Sequence, residues 1–135
     1  MTQKFINEIS YEVIGCAIEV HSHLGPGLLE SVYHLCMIDE MERRGVSVKS
    51  QAAVPLYYKE RLLPQTLKLD LLVEDCIVAE LKAVELVHPV HRAQLLSYLK
   101  LTSKPKGLLI NFHTDNISQS IISLVTKQFA SLPKQ

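Results

Sequence analysis

The stretch LKLDLLVEDCIVAELKA, residues 67–83, holds two apolar runs of β-forming residues joined by an acidic pair, and each run keeps a charge at its inner end. Leu67 to Val73 reads as one strand, Glu74-Asp75 as the turn and Cys76 to Leu81 as the returning strand. Such a hairpin brings Asp70 close to Glu80. Strand side chains alternate with a period of two, so Glu80 and Lys82 project from one face. Two carboxylates and an ammonium beside a hydrophobic sheet can hold a hard divalent cation such as Mg²⁺, with the lysine next to a water or a scissile phosphate.

Taken alone, an Asp followed at some distance by Glu-x-Lys is a weak pattern that recurs by chance in many soluble chains. A partly exposed ion pair of Glu80 with Lys82 or Lys68 would explain the same letters at little energetic gain. The neighbours decide between these readings. Leu69, Leu71, Leu72 and Val73, then Ile77, Val78, Ala79 and Leu81, describe strands buried on both faces. Carboxylates are costly to bury there unless a metal or a cation compensates them.

At 135 residues and 47% apolar composition, the chain suits one compact domain, residues 1–135, with no repeat or low-complexity tract. The polar opening MTQKFINEIS and the lack of a long apolar run predict a soluble, cytoplasmic protein. Cys16, Cys36 and Cys76 are odd in number and embedded in apolar patterns, which suits reduced core thiols. His21 and His23 lie two apart on a predicted helix and point to different sides, so zinc is not indicated. Fourteen basic and fourteen acidic side chains cancel, which argues against tight non-specific DNA binding. Local basic clusters remain at Arg43-Arg44 with Lys49, and at Lys100, Lys104 and Lys106.

Outward from the hairpin, Ile6, Ile9, Val13, Cys16, Ala17, Val20 and Leu24 recur at helical spacing and predict an amphipathic helix over 5–24. Gly25-Pro26-Gly27 breaks it, and a second helix is expected over 28–44, capped by Gly45. Val46 to Lys49 and Ala53 to Tyr58 read as strands, with Lys59-Glu60 as a turn. Pro89 opens a third helix over 90–101, Gly107 to Phe112 forms a last strand, and a closing helix is expected over 117–130. This order is α/β, with a crossover helix that allows a parallel strand pair.

Four further residues stand out. Gln94 and Tyr98 lie four apart on one helical face, after the strand that ends in Lys82, with His91 near that face. Glu30 sits near the start of the second helix, on the side of Tyr33 rather than that of Asp39, Glu40 and Arg43. Helix dipole stabilisation would account for an acid there, and packing of Tyr98 against Leu95 and Leu101 would account for the tyrosine.

The blocks GPGLLESVY, LDLLV, AELKAVE, HRAQLLSYLKL and GLLINF, in this order from about Ile9 to about Val125, resemble the GxxExxY protein family of the PD-(D/E)XK phosphodiesterase superfamily. The resemblance implies a restriction-endonuclease-like core, a four-stranded mixed sheet flanked by helices. It implies Asp70, Glu80, the Leu81 carbonyl and Glu30 as ligands of Mg²⁺ or Mn²⁺, with Lys82 as the active-site lysine. Gln94 and Tyr98 match the Gln-x-x-x-Tyr helix motif of the RecB-like branch, and His91 fits the same block. Gly27 and Tyr33 match the signature as residues of turn and core. Leu69 replaces the namesake proline, and Lys68 stands where relatives usually carry arginine, whose planar fork it lacks.

The activity so implied is metal-dependent hydrolysis of a nucleic acid, DNA or RNA. Its alternative is a nuclease-like binding or regulatory module without turnover. Small size and neutral charge leave few elements to grip a long duplex, so an oligomer or protein partner is a further expectation. Glycoside hydrolysis by Asp70 and Glu80 would leave Lys82 unexplained.

Overall fold

The computed structural model describes residues 1–135. The order of elements is α1 (Gln3–Leu24), α2 (Glu30–Arg43), β1 (Val48–Tyr58), β2 (Arg61–Val73), β3 (Ile77–Lys82), α3 (Pro89–Thr102), β4 (Lys106–Asn111), a 3₁₀ turn (Ile117–Ser120), β5 (Ile121–Val125) and α4 (Lys127–Ser131). The strands form one mixed sheet in sequential order, β1-β2-β3-β4-β5. Only β3 and β4 are parallel, and α3 is the crossover between them.

Helices cover both faces because β3 and the end of β2 are apolar on both. Leu71, Val73, Ile77, Ala79 and Leu81 pack with Ile6, Val13, Cys16, Tyr33 and Met37 of α1 and α2. Leu72 and Val78 pack on the other face with Leu95 and Leu99 of α3. At Gly107 a Cβ would lie 3.0 Å from Leu95 Cδ1, so glycine lets α3 approach β4 closely.

Tyr33 fixes the entry to α2. Its ring stacks on Phe112 with centroids 4.5 Å apart. Its hydroxyl donates to the Gly25 carbonyl at 2.6 Å and accepts from the Leu28 N–H at 3.2 Å. The intervening chain turns through Gly27 at φ 95°, a conformation that side chains resist. Helix α2 therefore begins at Glu30 rather than at Leu28, with the Gly-Pro-Gly loop pinned over its end.

Two expectations are corrected. Residues 117–130 are not a helix: Ile121–Val125 pairs antiparallel with β4, and the helical part shrinks to Lys127–Ser131. The apolar residues of 117–125 fit either period, and the open edge of β4 settles the matter by offering main-chain partners. The four-stranded core thereby gains a fifth strand. Residues 48–58 form one strand, not two, with Val46 and Ser47 outside it: the pairing with β2 keeps one register on both sides of Gln51, at φ 51°, and shifts only between Pro55 and Tyr57. Within the local basic clusters, Arg43, Arg44 and Lys104 are matched by Asp39, Glu40 and Asp75.

Candidate active site

The site begins where β2 and β3 part. Their pairing runs Val73↔Ile77, Leu72↔Val78 and Leu71↔Ala79, and stops. Asp70 and Glu80 would be the next pair. Instead, the Asp70 main-chain N–H donates to Glu80 Oε1 at 3.2 Å, and the Leu81 N–H donates to Asp70 Oδ2 at 3.0 Å. Each carboxylate thus takes the place of a main-chain acceptor at the parting strands. Strand β2 turns over at this point, since Leu71 packs toward α1 and α2 while Leu69 packs toward α3. Within a strand, the N–H and C=O of one residue face the same side. The Leu81 carbonyl is therefore directed to the side of Asp70, where β2 supplies no ladder partner.

Burial, and then the charge of Asp70, push the Glu80 carboxyl up to about 8, against the opposing pull of Lys82 and of the Asp70 N–H. No ion pair shorter than 4.0 Å involves Asp70, Glu80 or Lys82. Glu30 is raised as well, by partial burial first and by Asp70 second, while Lys82 and His34 pull it down. Asp70 and Lys82 thus act on both Glu30 and Glu80. Glu30 is nevertheless exposed rather than turned into the core. It shares a cleft of about 350 Å³ with Asp70, Gln51, Ser50 and His34.

A divalent ion suits this donor set. A half-buried carboxylate pair lacking a cationic partner is the electrostatic situation that a hard cation relieves, and its oxygens are the ligands such an ion prefers. Asp70, Glu80 and the Leu81 carbonyl lie together, but no three His, Cys, Asp or Glu side chains converge into a cage. Glu30 stands nearby on its own helix rather than within such a cluster.

Helix α3 meets the site at its N-terminal end. His91 is pushed below the usual histidine range by burial and then by Lys82 and His88, and its Nδ1 is enclosed without a hydrogen-bond partner. Gln94 Nε2 donates to Tyr98 Oη at 2.8 Å, so these two side chains hold each other, and neither bonds to Glu80 or Lys82. Asn111 secures the chain beyond Lys82. Its amide donates to the Val84 carbonyl at 2.8 Å, and its Oδ1 accepts from the Val84 N–H at 3.1 Å.

Sequence reasoning missed His34, Ser50 and Asn111. His34 lies one helical turn after Glu30, a spacing that would have placed both on one face, and its Nε2 meets Ser50 Oγ at 2.7 Å. For Asn111 the signal was an amide closing an apolar strand. Ser50 carried no signal.

The parting strands with their carboxylates and lysine, between helices on both faces, define a nuclease-type core. The chain belongs to the PD-(D/E)XK nuclease superfamily, whose family model matches residues 7–124. Among solved structures it is similar to the crystal structure of SSO0001, at 18% identity and a TM-score of 0.54. That match covers 75% of this chain and 55% of the other, and it speaks to the fold alone. No curated protein matches the chain. No helix is long and apolar enough to cross a membrane.

Proposed function

We propose that this chain is a divalent-metal-dependent nuclease of the GxxExxY type that hydrolyses phosphodiester bonds of nucleic acid. The observation that carries this reading is the Asp70–Glu80 pair, half-buried and free of any ion pair, beside Lys82. Asp70, Glu80 and the Leu81 carbonyl would hold Mg²⁺ or Mn²⁺, and Glu30 would add an oxygen from across the cleft. Such an ion supplies Lewis-acid polarisation of the phosphodiester and acidifies water. The Lys82 ammonium stabilises negative charge growing on the phosphate oxygens, or orients the attacking water by donating to it. His91 and the Gln94–Tyr98 pair line the α3 side and position the substrate. Gly27 and Tyr33 of the signature set the position of Glu30 through the pinned loop.

The test is incubation with single- and double-stranded DNA and RNA in Mg²⁺ and in Mn²⁺. Cleavage of at least one polymer, lost in chelator, is the expected result. Metal binding without cleavage of any polymer would replace this reading with that of a binding module.

A further inference from the structure

Strand β2 has thirteen residues, yet only Leu71 to Val73 pair with β3. From Arg61 to Asp70 it is held on one side only, by β1, as a two-stranded ribbon that leaves the sheet at the candidate site. The ribbon's two faces differ. Ala52, Val54, Leu67 and Leu69 form an inner face against the α3 layer. The outer face carries the pairs Ala53↔Lys68, Pro55↔Thr66 and Tyr57↔Leu62, every member of which is exposed. Gln51 and Asp70 fall between the pairs Ser50↔Leu71 and Ala52↔Leu69, just before this series, and both line the cleft with Glu30. One outer face therefore runs from the carboxylates to Tyr57 at the tip, across a register shift between Pro55 and Tyr57, while Tyr58 and its partner Arg61 stand on the other face of the tip.

That tip is unusually apolar for an exposed hairpin. Tyr57, Tyr58 and Leu62 are 57%, 62% and 59% exposed, and Lys59 Nζ lies 5.5 Å from the centroid of the Tyr58 ring. Between Ala53 and Lys68 the charges are Lys59, Arg61 and Lys68 against Glu60. None of the three bases has an ion-pair partner, whereas Arg43, Arg44 and Lys104 are neutralised by acids.

We propose that the β1–β2 ribbon is a binding arm for single-stranded nucleic acid, along which unpaired bases stack on Tyr57 of the outer face and, around the tip, on Tyr58, while Lys59, Arg61 and Lys68 contact phosphates. This rests on the nuclease reading for its direction, since the arm delivers the strand to Asp70. Stacking explains how a chain of zero net charge holds a polyanion: aromatic faces bind bases without needing the many phosphate contacts that a duplex binder uses. Unpaired bases present those faces, and a duplex hides them.

The experiment is fluorescence anisotropy in chelator with oligothymidylate, oligouridylate and a duplex of equal length, which separates binding from turnover. Tyr57→Ala with Tyr58→Ala is expected to weaken single-strand binding about tenfold or more. Tyr57→Phe with Tyr58→Phe, which keeps both rings, stays within about twofold. Lys59→Ala with Arg61→Ala flattens the salt dependence by about one to two phosphate contacts. Tyr11→Ala, on the remote face of α1, leaves binding as it was. The proposal is overturned by unchanged affinity in the alanine pair, by duplex binding as tight as single-strand binding, or by a wild-type oligomer that the alanine pair dissolves, which would give the tip to a second copy. Hydrolysis of bis-p-nitrophenyl phosphate by the unaltered chain, a diester too small to reach the tip, reports separately on the nuclease reading.

Discussion

Glu80 accepts a hydrogen bond from the main-chain N–H of Asp70 at 3.2 Å, while the carboxylate of Asp70 accepts one from Leu81, the residue after Glu80. The two acids are locked across the parting strands by each other's neighbourhood, and no lysine or arginine closes the charge. A protein that needed only a stable sheet would gain by replacing both with apolar residues.

Asp70→Asn, Glu80→Gln and Lys82→Ala are each expected to lower cleavage by about a hundredfold or more, since each removes a charge that acts where the phosphate reacts. Thermal denaturation should leave the fold of all three intact. Full cleavage by any of these variants would refute the role given to that residue.

Without metal, the stability of the chain should fall as pH rises from about 4.5 to about 8. The Glu80 carboxyl keeps its proton up to about 8 in the fold, against an ordinary value of 4.5. Over that window the folded state binds the additional proton, so raising the pH favours the unfolded state. Melting in chelator across the range measures the slope, and Glu80→Gln should remove most of it. An unchanged slope in that variant would place the titrating group elsewhere.

Mg²⁺ or Mn²⁺ should raise the melting temperature more at pH 8 than at pH 6, because a proton on Glu80 competes with the ion at the lower pH. Asp70→Asn should abolish most of the rise. Equal stabilisation of the variant would mean that the ion binds at another place.

Tyr33→Phe removes one hydroxyl that holds both Gly25 and Leu28. The expected loss is about 1–2 kcal/mol in urea denaturation. Because Glu30 follows directly on that loop, the metal concentration needed for half-maximal cleavage should rise as well. A stability loss with unchanged metal dependence would separate the loop from the site.

Asn111→Ala leaves the N–H and C=O of Val84 without their partners. Loss of about 2–3 kcal/mol is expected from denaturation, with weaker cleavage because Lys82 loses the anchor two residues beyond it. A stable variant of undiminished activity would show that water replaces the amide.

Sequence alone determined the elements whose pattern is decided locally. The spacing from Ile6 to Val20 admits only an amphipathic helix, Gly25-Pro26-Gly27 cannot continue it, and two apolar runs about an acidic turn can only be a buried hairpin. That hairpin also brought Asp70 near Glu80, but the register itself came from the structure, where Val73 meets Ile77 about a loop of Glu74, Asp75 and Cys76, one residue longer than the Glu74-Asp75 turn. The tertiary structure decided what local pattern leaves open. Residues 121–125 became a strand because β4 had an unpaired edge, and an edge formed by residues 106–111 is not a property of the later segment. Glu30, His34 and Ser50 share a cleft because Tyr33 stacks on Phe112 and so presses α2 onto the sheet. Only the packed fold brings these distant residues together, since burial joins side chains far apart in the chain and a period of two or of 3.6 does not.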